Sequence, residues 1–140
     1  MESCIVYFSR AAEPFEAQLS TLLEQSRIRN AQLGITGIML YVRGSIIQVL
    51  EGDQQQVEAM YQRIQVDERH QQVECILNRP ITQRLFTDWR MGYQTIDRSQ
   101  LADIEAVVSL EPTESSGIPL VLRVIQTFFE ANRHTARPPV

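Results

Sequence analysis

Lysine is missing from this chain, and its thirteen basic residues are all arginine. That excludes a Schiff-base nucleophile and the lysine of a Walker A phosphate loop. Histidine is scarce, with only His70 and His134, and cysteine is limited to Cys4 and Cys75. The cysteines do not form a CxxC, so neither a zinc site nor a dithiol redox centre is indicated. Each lies in an apolar segment and is expected to pack as a reduced thiol. The arginines are scattered, and seventeen acidic residues bring the net charge to −4. With no basic stripe, no nucleic-acid partner is expected. Apolar runs stay far shorter than a bilayer requires, and no signal peptide is visible. The expectation is a cytoplasmic protein without a membrane partner or a metal. Nucleophilic-triad motifs are absent. Gly34-Ile35-Thr36-Gly37 lacks the spacing of a dinucleotide loop and reads as the lead-in to a strand.

What is present is ordinary material for one soluble domain: 140 residues, 44% hydrophobic and 21% charged. That length buries a core without disulfides or metals. Ser3 to Ser9 is apolar and β-branched, a strand. Glu13-Pro14 opens a helix whose buried face is Phe15, Leu19, Leu22 and Leu23, with Gly34 as its stop. Ile35 to Val42 and Ser45 to Leu50 are strands joined at Arg43-Gly44 as a hairpin, and Glu51-Gly52 is read as the break after them. Asp53, with Gln56 three residues on, resembles a capping box for a second helix. Val57, Met60, Tyr61 and Ile64 form the buried face of that helix. Val73 to Leu77 is a fourth strand, and Trp89 to Thr95 a short fifth one.

The order β-α-β-β-α-β predicts an α+β, ferredoxin-like sandwich. A mixed sheet is expected, with its first and third strands parallel and adjacent at the centre. Both helices should cover one face, leaving a groove between them for a ligand. Residues 1–96 form this core. Residues 97–140 form a helical extension, with a helix over Gln100 to Val108, a turn-rich link from Glu111 to Gly117, and a C-terminal helix. The apolar stripe of that last helix, Leu120, Val121, Val124, Ile125, Phe128 and Phe129, is expected to pack on the other sheet face or meet a partner.

Three polar residues break the apolar pattern. Gln48 interrupts Ile46-Ile47-Gln48-Val49-Leu50. It is either a solvent-facing residue of an edge strand or a buried amide whose donors and acceptor need partners. Ser26 and Asn30 continue the buried stripe of the first helix, so its face turns polar at its C-terminal end, by fraying or by design. Tyr7 shares a strand face with Ile5 and Ser9. If that face meets the helices, a phenol lies under the groove. Arg63 and Asp67 are four apart, with Arg69-His70 following, either a solvated ion pair or an anion site at the rim.

In order and spacing, a set of these segments resembles the BLUF family of blue-light photoreceptors. It comprises Tyr7, Asn30, Gly34-Ile35-Thr36-Gly37, Gln48-Val49-Leu50-Glu51-Gly52, Asp67-Glu68-Arg69-His70 and Trp89-Arg90-Met91. The likeness covers residues 1 to 95, and the short helical tail is similar to stand-alone members that carry no fused enzyme. The resemblance implies a noncovalent flavin between the two helices, FAD with FMN as the alternative. It implies that Tyr7 donates an electron and a proton to the excited flavin, and that Gln48 is the switching amide between them. Asn30 would bond the ring edge, with Ser26 nearby and Arg63 at the ring's carbonyl edge. Asp67, Arg69 and His70 would hold the ribityl and phosphate end. Trp89 and Met91 would lie on the strand that relays the signal. Arg29 departs from the asparagine or histidine common in the family and is left out of this set. No turnover activity is implied, only a signal to an unidentified protein partner. The apolar tail suggests a homo-oligomer. The competing expectations are an acylphosphatase-like hydrolase and a regulatory module that binds a small metabolite.

Overall fold

The structure is a computed structural model that describes residues 1–12, 15–68, 70–110 and 119–135. Its elements run β1 (Glu2–Ala11), α1 (Phe15–Leu33), β2 (Thr36–Val42), β3 (Ser45–Asp53), α2 (Gln54–Gln65), β4 (His70–Pro80), β5 (Gly92–Thr95), α3 (Arg98–Leu110) and α4 (Leu120–Thr135). The chain divides into two compact units, Met1–Tyr93 and Gln94–Val140. The expected helix start at Glu13-Pro14 and the link from Glu111 to Gly117 lie outside the described residues.

The five strands lie in the order β4-β1-β3-β2-β5. The central strands read as continuous apolar runs because they are buried on both faces. Ile5, Tyr7, Met39, Ile46 and Leu50 share one face and pack with Leu22 and Leu23 of α1 and Val57, Met60 and Ile64 of α2. Both helices therefore cover that face, as the α+β ferredoxin-like reading required. Cys4, Val6, Ile38, Leu40 and Val49, at alternate positions, are fully buried as well.

Strand direction corrects one expectation. β1 and β3 are adjacent but antiparallel, with Ile5 opposite Leu50 and Tyr7 opposite Gln48. β3 is also antiparallel to β2, with Met39 opposite Gln48. The parallel pair is β1 and β2, joined through α1. β3 folds back along β2 through the hairpin and slots between them, so it opposes both. Arg43 and Gly44 supply that hairpin with two consecutive positive φ angles, 40° and 87°, as a two-residue primed turn requires.

Three boundaries moved. Glu51 and Gly52 do not break β3. They stay in the ladder opposite Cys4 and Ser3. β4 extends from His70 to Pro80, because an edge strand with mostly exposed polar positions shows little apolar pattern. β5 begins at Gly92, so Trp89 and Met91 sit in the lead-in to the strand rather than on it. Cys75 is exposed and only Cys4 is buried, which overturns the expected packing of the second thiol. In the second unit, α3 and α4 pack on each other. No described helix is long and apolar enough to cross a membrane.

Candidate functional site

Gln48 occupies the middle of the central strand, between Tyr7 and Met39. It is 4% exposed, so the edge-strand placement does not hold. Its amide is held on both sides. The Tyr7 hydroxyl donates to Gln48 Oε1, and Gln48 Nε2 donates to Met91 Sδ at 3.5 Å. A thioether is a weak acceptor, so the amide keeps spare donor capacity toward the helix side.

Tyr7 is fully buried. Burial pushes its pKa far above the ordinary phenol value, with Tyr61 and the Asp67 carboxylate adding to the effect. The phenol therefore stays protonated and acts as the donor to Gln48. Its ring lies 5.6 Å from that of Tyr61, tilted by 55°, and 6.1 Å from His70, edge-on at 72°. His70 is itself anchored, with Nδ1 3.0 Å from Ser9 Oγ and its backbone N–H donating to the Asp67 carbonyl at 3.0 Å.

The two helices complete the walls. Leu22, Ser26, Arg29 and Asn30 fall on one face of α1, and Met60 and Ile64 face them from α2. With Gln48, Leu50, Asp67, His70 and Met91 they line a cavity of about 360 Å³, counting the part open to solvent. Asn30 is held by a helix-end motif rather than frayed. The Ile35 N–H reaches back to the Asn30 carbonyl at 2.9 Å, and Gly34 between them takes φ 68°. Its side-chain amide donates to the Arg90 carbonyl.

Of the residues singled out from sequence, Ser26, Asn30, Gln48, Asp67, His70 and Met91 meet at this cavity, and Tyr7 backs it through Gln48. Met91, not Trp89, is the nearer of the relay pair. Trp89 is half-buried outside the lining, its carbonyl bonded to the Gly37 N–H at 2.8 Å. Arg63 is exposed and is not among the lining residues, since the inward face of α2 belongs to Met60 and Ile64 and a neighbour of Ile64 is turned about 100° from it. Arg69 lies outside the described residues. Arg29 was passed over and does line the cavity, with Nη1 3.9 Å from Met60 Sδ. Its helical spacing from Leu22 and Ser26 was the signal available.

Leu22, Leu50, Met60 and Ile64 supply the apolar lining, and the amides of Gln48 and Asn30 add donors and acceptors to it. That donor set fits a planar heteroaromatic ring with carbonyl and ring-nitrogen edges, as a flavin has. The class so defined is a ferredoxin-like module with a ligand cavity between its helices, one lining amide of which is hydrogen-bonded to a buried phenol.

The comparisons agree. The family described as "BLUF: Sensors of blue-light using FAD" matches residues 3–92. The photoactivated adenylate cyclase subunit beta of Euglena gracilis is 31% identical over 96 residues, which are 66% of this chain and 11% of that protein. This chain therefore spans about a tenth of such relatives. BlrB, a BLUF protein solved in its dark state, is 27% identical with a TM-score of 0.70, covering 93% of this chain and 96% of that one. BlrP1 of Klebsiella pneumoniae, in a manganese and cyclic-diGMP complex, is 25% identical with a TM-score of 0.67, covering 99% and 36%. The chain belongs to the BLUF family. It is a flavin-binding, blue-light-sensing domain.

Proposed function

We propose that Tyr7 and Gln48 are the photoactive pair, and that the remaining cavity residues hold the flavin around them. The carrying observation is the buried Tyr7–Gln48 hydrogen bond opening onto the cavity. Bound flavin supplies blue absorption and, once excited, a strong one-electron acceptor. With flavin bound, Tyr7 would be the donor of an electron and, by way of Gln48, of its phenol proton, and the return of both would leave the cycle neutral in electrons and protons. The lasting change would lie in the Gln48 amide, rearranged by rotation or by tautomer change so that it could offer a stronger hydrogen bond to the ring's carbonyl edge. Asn30 and Ser26 hold that edge. Asp67 suits the ribityl hydroxyls as an acceptor, with His70 beside it, and Arg69 suits a phosphate. FAD is the proposed form.

Met91, bonded to Gln48, passes the change to Trp89 and the lead-in to β5. The chain alone is proposed to turn over no substrate. It acts in the cytoplasm on a separate protein and on a second copy of itself. Support for the contact with a protein surface comes from a groove between α3 and α4, lined by Val107, Leu120, Val124 and Phe128 together with Asp103 and Arg123.

The test is the flavin spectrum in the dark and after blue light. A small red shift that reverses in the dark is expected. Tyr7→Phe should keep flavin and lose the shift, and Gln48→Leu should lose it too. A normal photocycle in Tyr7→Phe would refute the assignment.

A further inference from the structure

The segment 89–91 is held in place from outside. Three consecutive carbonyls each receive a donor from another element. Trp89 takes the Gly37 N–H of β2, Arg90 takes the Asn30 amide of α1, and Met91 takes Arg27 Nε of α1 at 3.0 Å. The Met91 side chain then accepts from Gln48 Nε2. Arg27 and Asn30 are three apart on α1 and so are neighbours on its surface, which lets one helix grip two successive carbonyls. Asn30 lines the cavity, whereas Arg27 does not. Residues 89–91 precede β5 and lack a strand ladder, so their carbonyls need such donors.

We infer that Arg27 is a positioning residue of the switch, holding the Met91 carbonyl so that Met91 Sδ stays seated on Gln48 Nε2 in the dark. This deepens the Tyr7–Gln48 reading and rests on it. Arg27 belongs to the arrangement in which the Gln48 amide nitrogen faces Met91. Removing its bond raises the energy of that arrangement and of the barrier on the way back to it.

The test uses the full chain with its flavin, comparing Arg27→Met and Arg27→Lys with the parent. Two readouts are needed: dark emission of Trp89, the only tryptophan, and recovery of flavin absorption after a blue pulse. Arg27→Met should keep flavin and the red shift. Its Trp89 emission should shift and become more open to acrylamide. Its recovery should slow about fivefold, as loss of one hydrogen bond worth about 1 kcal/mol implies. Arg27→Lys, which restores a donor, should recover most of both. Unchanged Trp89 emission in Arg27→Met overturns the inference. So does a shifted emission with unchanged recovery, because Arg27 would then hold the chain without touching the switch. Failure of the underlying reading shows elsewhere, as a normal red shift in Tyr7→Phe, an outcome that leaves the shift of Trp89 emission in Arg27→Met standing.

Discussion

Gln48 and Glu51 lie three residues apart on β3 and so point to opposite faces of the sheet. Gln48 faces the cavity. Glu51 is 1% exposed, and its carboxylate accepts the N–H groups of Leu85 at 2.7 Å and Phe86 at 2.9 Å and the Thr36 hydroxyl at 3.3 Å. Burial raises its pKa from 4.5 despite those bonds. The folded chain thus holds this proton more tightly than the unfolded chain. The resulting stability is complete below about pH 4.5 and is lost as pH rises through the folded value. Glu2 behaves oppositely. The hydrogen bonds from Arg84 lower its pKa, so its contribution is present above the unfolded value and is lost as pH falls through the folded one. That contribution is smaller, because Glu2 is 44% exposed. Urea midpoints of Glu51→Gln, relative to the parent, should therefore move in the variant's favour between about pH 4 and pH 7. Those of Glu2→Gln should move against it. Equal slopes for both variants would contradict this assignment. Tyr7, Asn30 and Gln48 were legible from sequence because each is polar at an apolar position. Glu51 was not, since Glu-Gly after a strand reads as a break. Only the 84–86 loop folding back onto the carboxylate reveals its use.

At the scale of elements, two glycines in one short motif do different work. Gly34 ends α1 at φ 68° with open space around its missing side chain. Gly34→Ala should cost about 1–2 kcal/mol, from backbone conformation alone. Gly37 has ordinary φ, but a Cβ there would lie 1.9 Å from the Val49 carbonyl oxygen. The same residue donates to the Trp89 carbonyl. Gly37→Ala must push β2 off β3, so a loss of about 3 kcal/mol or more is expected by urea denaturation. A cost equal to that of Gly34→Ala would show that the β2–β3 pairing yields freely. Sequence reading identified the motif as the lead-in to β2, and Gly34 as the stop of α1, from local chemistry alone. The close approach of β2 and β3 at Gly37 depends on pairing between strands, which no single segment carries. The same limit explains the direction of β1 against β3. Adjacency followed from the order of elements, but direction follows from the connections: α1 returns the chain in β2 along the direction of β1, and the hairpin then turns β3 against both.

For the whole molecule, the energy of the switch bounds any output. The proposed light signal is one rearranged amide, and a hydrogen bond of this kind is worth about 1–2 kcal/mol net. A ligand or light-driven change shifts an equilibrium only by its differential energy between the two states. The self-association proposed for this chain should therefore differ between dark and light by about 5- to 30-fold in dissociation constant for each switched protomer, and by no more than the square of that when both protomers of a pair switch. The α3–α4 groove carries apolar Val107, Leu120, Val124 and Phe128 between Asp103 and Arg123. A second copy meeting it in two-fold symmetry can pair opposite charges across a shared apolar centre. Sedimentation of the flavin-loaded chain in darkness and under continuous blue light measures the ratio directly. A shift inside that range, absent from Tyr7→Phe, fits a single-amide trigger. A shift on the order of a hundred-thousandfold would need a larger element to order or melt with light, and the trigger would then have to lie beyond Gln48 and Met91.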